Sequence, residues 1–415
     1  MGTSVWKLPV AHSHALAARA GMLVFVGGAG DFDARGIIRH PGAFSPQVAG
    51  AMDNLAAALG VEGCTLDDVV RLKIYYHTEA TRNEWEVLAA IQNYILADPK
   101  PAITVVPTPL QPFDGQQLQI QAIAIRGWRS RAFRHTEREV PAAHRHLFKQ
   151  PVLSAGLRAG EFISIPARTA AEEDDTVTEP DVIAQTQTVM RHLETSLNEV
   201  GASLQDAVKM EGYYFGASMD QWEPLARARA GYFREPGPVA TTVPCHALYP
   251  SGALTKVELV AMRESWNGFD KYIPRDDSWP RRVWDWPIPL PYRQGLRLRD
   301  TVWLGGQVPF ASESNSAKIV LPGDLSKQTQ FTMRYIEDIL NGFDRSTADL
   351  ALLVCYFKSS GAQRETEAFL EVISECVAGP LPPITLVPQP HMHSPEGTVE
   401  IWGVARVPTN NQTAP

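Results

Sequence analysis

Two glutamates and a small set of histidines are the residues of this chain best equipped to move a proton. Glu258 and Glu400 lie on apolar, alternating segments, and Gln119 takes the corresponding place in a third such segment. A carboxylate turned toward an enclosed cleft orients or deprotonates a water. The same carboxylate can instead bond a neighbouring strand across a shared core, and both readings stand. His391 and His393 are spaced to put two rings on one side of an extended segment, where either suits general acid–base work. They lack a visible third ligand, so no metal is expected. Cys245 and His246 are adjacent and point to opposite sides of a strand, which argues against a nucleophile–base pair. Arg71, Lys73, Tyr75 and His77 share one strand face, and Lys209, Glu211, Tyr213 and Phe215 share an equivalent one. Lys73 and Glu211 hold equivalent positions and are expected to meet as a buried ion pair that fixes register.

These equivalences exist because the chain repeats itself. QTQTVMRHLETSL from Gln185 and QTQFTMRYIEDIL from Gln328 share Gln, Thr, Met, Arg and Glu in register, and a fainter copy starts at Gln47. Apolar residues three and four apart predict a helix with one buried face. Each copy is followed by an aromatic strand (69–78, 207–216, 351–360), a second helix and a proline-bounded strand (101–107, 238–244, 382–388). A last strand closes each unit (118–126, 256–263, 398–406), and an opening strand precedes it (21–30, 160–169, 300–309). The expectation is an α+β fold of three units, 1–127, 140–264 and 285–408, each with helices on one face of a sheet.

The 415 residues exceed what one core needs and suit three domains of ordinary size. With 44% apolar residues, a net charge of -8 and no long apolar run, the chain is expected to be globular, without membrane or nucleic-acid partners. Four scattered cysteines and no leader pattern suggest a cytoplasmic protein. Seven basic residues between Arg126 and Gln150 mark the first link. The second, from Trp266 to Pro291, is rich in Trp, Pro and Asp. That composition fits a strap packed on the neighbouring unit or one wall of a substrate cleft.

The opening of unit three, PYRQGLRLRDTVWLGGQVPF, resembles the opening of the Rid family, also called YjgF or endoribonuclease L-PSP. The helix, aromatic strand, proline-bounded strand and closing strand follow in that family's order, three times over. The resemblance implies chorismate-mutase-like units forming an intrachain pseudo-trimer, with a central strand-lined barrel, helices outside and sites in the clefts between units. It also implies cofactor-free hydrolysis of an imine or enamine. In the family an arginine on the proline-bounded strand holds the carboxylate, and a tyrosine and a closing-strand glutamate position imine and water.

This chain departs from that pattern. The arginine positions read Ile103, Ala240 and Ile384, and the glutamate positions are expected at Gln121, Val260 and Trp402. The tyrosine survives as Tyr292, with His14 in its place in unit one and Leu153 in unit two; the loop glycine survives as Gly28 and Gly306 but is Ala167 in unit two. Arg168 replaces the loop glutamine that unit three keeps as Gln307. The expected reaction is hydrolysis of a C–N bond in the cleft served by unit three, with no cofactor. Glu400 is the candidate base, His391 or His393 the candidate acid, and Tyr292, Gly306 and Gln307 position the substrate. Ile384 and Trp402 make that pocket less polar and favour a neutral or aromatic substrate. Arg168, His14 and Glu258 are further candidates for substrate contact in the other clefts. A non-catalytic binding or assembly protein of the same fold is the alternative. A monomeric pseudo-trimer or a low-order homo-oligomer is expected.

Overall fold

A recurring glutamine explains why the same helix is written three times. Gln47, Gln185 and Gln328 are fully buried near their helix N-termini, and each clamps the loop that leads into its unit's last strand. Gln328 Nε2 donates to the carbonyls of Val320, Leu321 and Glu396 at 2.9–3.0 Å, and its Oε1 accepts from Thr398 N at 2.7 Å. Gln185 does the same with Gly252 O and Leu254 N, and Gln47 with Gly115 O and Gln117 N. An amide is used because it donates and accepts at once, so every loop group it meets is satisfied. A second repeated device starts each aromatic strand. Thr65–Asp68, Ser203–Asp206 and Ser346–Asp349 form three capping boxes on single 3-10 turns.

The structure is a computed structural model that describes residues 6–9, 12–79, 83–263, 283–312 and 317–408. Unit one comprises β1 (Ala17–Ala20), β2 (Leu23–Ala29), α1 (Phe44–Val61), β3 (Val69–His77), α2 (Glu84–Gln92), β4 (Ala102–Thr108) and β5 (Leu118–Ile125). Unit two comprises β6 (Phe133–Glu139), β7 (Val152–Ala159), β8 (Phe162–Arg168), α3 (Val182–Glu199), β9 (Ala207–Phe215), α4 (Met219–Ala230), β10 (Val239–Cys245) and β11 (Thr255–Met262). Unit three comprises β12 (Gly295–Leu298), β13 (Thr301–Leu304), α5 (Leu325–Asn341), β14 (Leu350–Lys358), α6 (Gln363–Cys376), β15 (Ile384–Gln389) and β16 (Val399–Arg406). The sheet orders β1-β2-β5-β3-β4 and β12-β13-β16-β14-β15 are the same topology. The second sheet, β10-β9-β11-β8-β7-β6, adds an edge strand built from the basic first link. Of the second link, residues 266–282 lie outside the described residues.

The α+β, three-unit expectation agrees with these three sheets. The strand-lined barrel does not appear as a closed sheet: among the described residues the three sheets remain separate and abut at their edges. A few backbone bonds stitch the seams, among them Ala15 N to Leu381 O between units one and three, and Gly306 N to Ala240 O between units two and three, both 2.8 Å. The helices pack on one face of their sheets in one apolar cluster, and residues from the other faces of all three sheets form a second, shared cluster.

The shared core is ordered in layers by the three aromatic strands. Tyr75, Tyr213 and Tyr356 occupy equivalent places, and the hydroxyls of Tyr75 and Tyr356 are 2.7 Å apart with Tyr213 in hydrogen-bonding reach of both. The next layer holds Lys73, Glu211 and Val354, and the one after holds Arg71, Lys209 and Leu352. Lys73 Nζ lies 2.6 Å from Glu211 and 2.5 Å from Glu258, while Arg71 Nη2 lies 3.0 and 2.9 Å from the same two carboxylates. All four side chains are almost wholly buried. Two cations and two anions cancel here, which is what makes their burial tolerable.

Strand register corrects one equivalence drawn from the sequence. Tyr75 pairs with Gln119 and Tyr356 with Glu400, but Tyr213 pairs with Lys256. Lys256 is therefore the counterpart of Glu400. Glu258 falls at the place of Gln121 and Trp402, so it, and not Val260, occupies the expected glutamate position. It faces the shared core and is bonded by Arg71, Lys73 and Thr104 rather than by a ligand. Burial alone would raise its pKa, but Arg71 and Lys73 pull it down to about 2. A depressed carboxylate stabilises the fold above its unfolded pKa and loses that contribution as pH falls from about 4.5 toward about 2. Glu258→Gln should cost about 3–5 kcal/mol at neutral pH, because it leaves two buried cations, Arg71 and Lys73, sharing the single carboxylate of Glu211. Urea titrations at several pH values check this: the variant should lack most of the stability that the wild type loses across that acid window.

Candidate functional site

Helix α4 carries an arginine on its buried stripe. Trp222, Leu225, Ala226 and Arg229 follow one another at helical spacing and are all buried, Arg229 completely. Its Nη2 donates to Thr242 Oγ1 at 3.0 Å and the Tyr292 phenol lies within hydrogen-bonding reach, but no carboxylate pairs with it among the described residues. Gly212 on β9 gives it room, since a Cβ there would sit 2.5 Å from Nη1. Burial lowers the guanidinium's pKa, and the neighbouring Tyr292 phenol partly offsets this. Burial likewise raises Tyr292, and Arg229 opposes that. A desolvated cation without a counter-ion is costly in a folded protein. It is also what a carboxylate or similar anion requires of a binding site.

Arg229 lines a cavity between units two and three. Unit two contributes Trp222, Ala240 and Thr242; unit three contributes Tyr292, Gly306, Phe310, His393 and Glu400. The second link closes one side with Trp284 and Trp286. The cavity is narrow, with a volume of about 40 Å³. Its walls are mostly aromatic, with Trp284 edge-on to both Trp286 and Phe310 at 5.1 Å and Trp286 against Tyr292 at 6.2 Å. Such a slot suits a slim, flat molecule.

Opposite chemistry comes from the last strand. Glu400 Oε2 lies 2.8 Å from His393 Nε2, and His393 Nδ1 lies 3.1 Å from the Tyr214 hydroxyl, which is also 3.2 Å from Ser218 O. A neutral imidazole with its proton on Nε2 satisfies both contacts, donating to Glu400 Oε2 and accepting from the Tyr214 hydroxyl at Nδ1. The other oxygen, Oε1, is aimed at Gly306, where a Cβ would collide with it and lie 2.9 Å from Thr241 Oγ1. A carboxylate paired to an imidazole, with one oxygen facing a cavity, can take a proton from water and deliver it elsewhere.

The candidates named from sequence separate in space. Glu400, His393, Tyr292 and Gly306 line this cavity together. Gln307 stands behind it, its Oε1 accepting from the Trp284 indole at 3.2 Å and its Nε2 donating to Gln294 at 2.7 Å. His391 is turned away, edge-on to His246 at 4.3 Å and bonded to Gly216 O. Trp402 lies in the shared core, 4.2 Å from Lys209 Nζ. Ile384 packs its backbone against Gly27 at the seam of units three and one. At the same seam His14 accepts from Leu8 N and bridges to Leu381. Arg168 ends β8, near Arg138 and His192 rather than near this cavity. Ile384 and Trp402, which would favour a neutral substrate, do not line the cavity, whereas Arg229 does. Ala240, where the resemblance expects an arginine, leaves a methyl, and the guanidinium arrives from α4 instead. Arg229 was the residue missed, although an arginine in register with Trp222, Leu225 and Ala226 was a readable signal.

The matching places in the other clefts are filled from within. Lys256 Nζ meets both oxygens of Glu84 at 2.7 Å and Val105 O at 2.8 Å between units one and two. Gln119 Nε2 donates to Leu386 O at 2.5 Å between units one and three.

Three sheet-and-helix units with an inter-unit cleft define a Rid-type pseudo-trimer. The family model described as Endoribonuclease L-PSP matches residues 7–126 and 150–263, more than half of the chain, and the protein belongs to that family. A RutC family protein of Pyrococcus abyssi is 27% identical over 112 residues, covering 27% of this chain and 86% of that protein. Among solved structures, a chorismatase shares 11% identity at a TM-score of 0.54, over 82% of this chain and 93% of its own, which shows a common fold. A YjgF/YER057c/UK114 family member from Mycobacterium tuberculosis shares 23% identity over 31% of this chain and 99% of its own, with a TM-score of 0.24. No helix among the described residues is long and apolar enough to cross a membrane.

Because Arg229 is buried without a counter-ion, removing its charge should not weaken the fold. Arg229→Met is expected to unfold at the same urea concentration as the wild type, or to be up to about 2 kcal/mol more stable. A loss of more than about 2 kcal/mol would mean that the guanidinium is a structural contact.

Proposed function

We propose that the protein is a cofactor-independent hydrolase that cleaves a C–N bond of a small, flat, carboxylate-bearing metabolite in the cleft between units two and three. The observation that carries this reading is the unpaired, buried Arg229 in the same aromatic cavity as the Glu400–His393 pair. Family membership supports small-molecule chemistry of the hydrolase or deaminase kind. Arg229, with Thr242, holds the carboxylate. Trp222, Trp284, Trp286 and Phe310 cover the apolar body and exclude bulk water. Glu400 takes a proton from a water as its oxygen adds to the C=N carbon, and the nitrogen is protonated by way of the Glu400–His393 pair. Collapse of the adduct breaks the C–N bond, giving a carbonyl compound and an amine or ammonia.

A second reading is hydrolysis of an enol ether. The chorismatase that shares this fold acts, by its name, on chorismate, which carries one carboxylate on a compact ring and one on its enol-ether side chain, and Arg229 suits such an anion. Protonation and water addition at an enol-ether carbon ask for the same groups.

A panel of 2-imino and 2-enamino acids, ring-bearing acyl-amino acids and chorismate separates these readings, with keto acid and ammonia followed for the first two, free amino acid for the acyl compounds and pyruvate for chorismate. Turnover of a nitrogen compound is expected. Glu400→Gln should lower kcat by about a hundredfold to ten-thousandfold. Arg229→Met should raise KM for the carboxylate at least about tenfold and leave a neutral amide analogue unaffected. Turnover of chorismate alone would select the second reading, and tight binding with no turnover of any compound would make the protein a binder.

A further inference from the structure

The central charges balance without Lys209. Arg71 and Lys73 answer Glu211 and Glu258, and Lys209 is an additional cation, 1% exposed, at the boundary between the shared core and the cleft. Its Nζ lies 2.5 Å from Thr241 Oγ1, 3.1 Å from Leu304 O and 4.2 Å from the centre of the Trp402 ring. The groups facing it are Glu211 on its own strand, Arg71 and Lys73 from β3, Glu400 and Trp402 from β16, Thr241 from β10 and the Leu304 carbonyl from β13. Thr241 connects it to the cleft. Its hydroxyl accepts from Lys209, so its own hydrogen points elsewhere, and Thr241 Oγ1 and Glu400 Oε1 both border the small gap kept open by Gly306.

We propose that Lys209, acting through Thr241, is a positioning residue for Glu400: as an ammonium it holds the carboxylate toward the cleft, and on losing its proton it lets go. This rests on the assignment of the cleft as the reaction site, but the coupling between the two residues can be measured without any substrate. Burial lowers the Lys209 pKa to about 7, with Glu211 and Glu400 favouring the charged form and Lys73 and Arg71 opposing it. The switch therefore falls in the neutral range, whereas an exposed lysine keeps its proton to about pH 10. Each loss of a proton from Lys209 leaves the cleft one charge more negative, which disfavours an anionic ligand.

The test uses the full chain with lysine labelled at Cε and a heteronuclear titration from about pH 5 to 10. Lys209 is identified by the signal lost in Lys209→Met. Its midpoint should lie near 7 in the wild type and fall by about one unit in Glu400→Gln, since a nearby anion that favours the ammonium is gone. Thr241→Val should shift it as well, and Thr241→Ser should restore it. If Lys209→Met does not fold, the signal that moves in both Glu400→Gln and Thr241→Val identifies the residue. Calorimetry with benzoate as a probe should show affinity falling about tenfold as pH rises through that midpoint, and a flat profile in Lys209→Met. A midpoint above about 9, or one indifferent to Glu400→Gln, would overturn the proposal. A Lys209 that titrates as expected beside benzoate that binds at no pH would overturn the carboxylate reading of the cleft instead.

Discussion

Two cations and two anions buried between three sheets set the terms for the rest of this molecule. Arg71 and Lys73 come from unit one, Glu211 and Glu258 from unit two, and none of them has enough water around it to stand alone. The boundary between units one and two must therefore register so that opposite charges meet within ion-pair distance. A slip of one residue on any of these strands would turn its side chains to the opposite face. Unit three answers with Leu352, Val354 and Trp402 in the equivalent layers, so the threefold pattern survives in backbone but not in charge.

That loss of symmetry passes outward to the clefts. The place on the closing strand beside each cleft carries Gln119, Lys256 or Glu400, and the side chain's length and charge decide what happens next. Lys256 draws in Glu84 and closes one cleft with an ion pair, and Gln119 bonds to a backbone carbonyl across another seam. Glu400 finds His393, an imidazole that bonds one of its oxygens and leaves the other facing the cavity. The result is one backbone plan with three fillings, of which the one between units two and three keeps a cavity flanked by acid–base groups.

Arg229 shows the same economy in reverse. A buried guanidinium without a carboxylate partner works against stability, and the surrounding structure holds it in place with Thr242, Tyr292 and the space left by Gly212. Groups held in this uncompensated state are characteristic of places where a ligand completes the pairing. The tryptophans of the second link add the low-polarity wall that strengthens such a charge.

The sequence alone determined the architecture. Repeated glutamines, capping boxes and aromatic strands each encode a local structure, and local structures repeated in order leave little choice of fold. It also placed Glu400, His393, Tyr292 and Gly306 on segments that meet, because the family resemblance fixes which unit ends face one another. It did not determine the register of β11, where Lys256 rather than Glu258 matches Glu400. Alternation along a strand gives the face of a residue but not its partner, and the partner follows from the neighbouring strands. Nor did it show that Ile384 and Trp402 face away from the cavity while Arg229 enters it. A helix side chain reaches a cleft only through the angle at which its helix packs, and that angle is set by three units closing on a shared core.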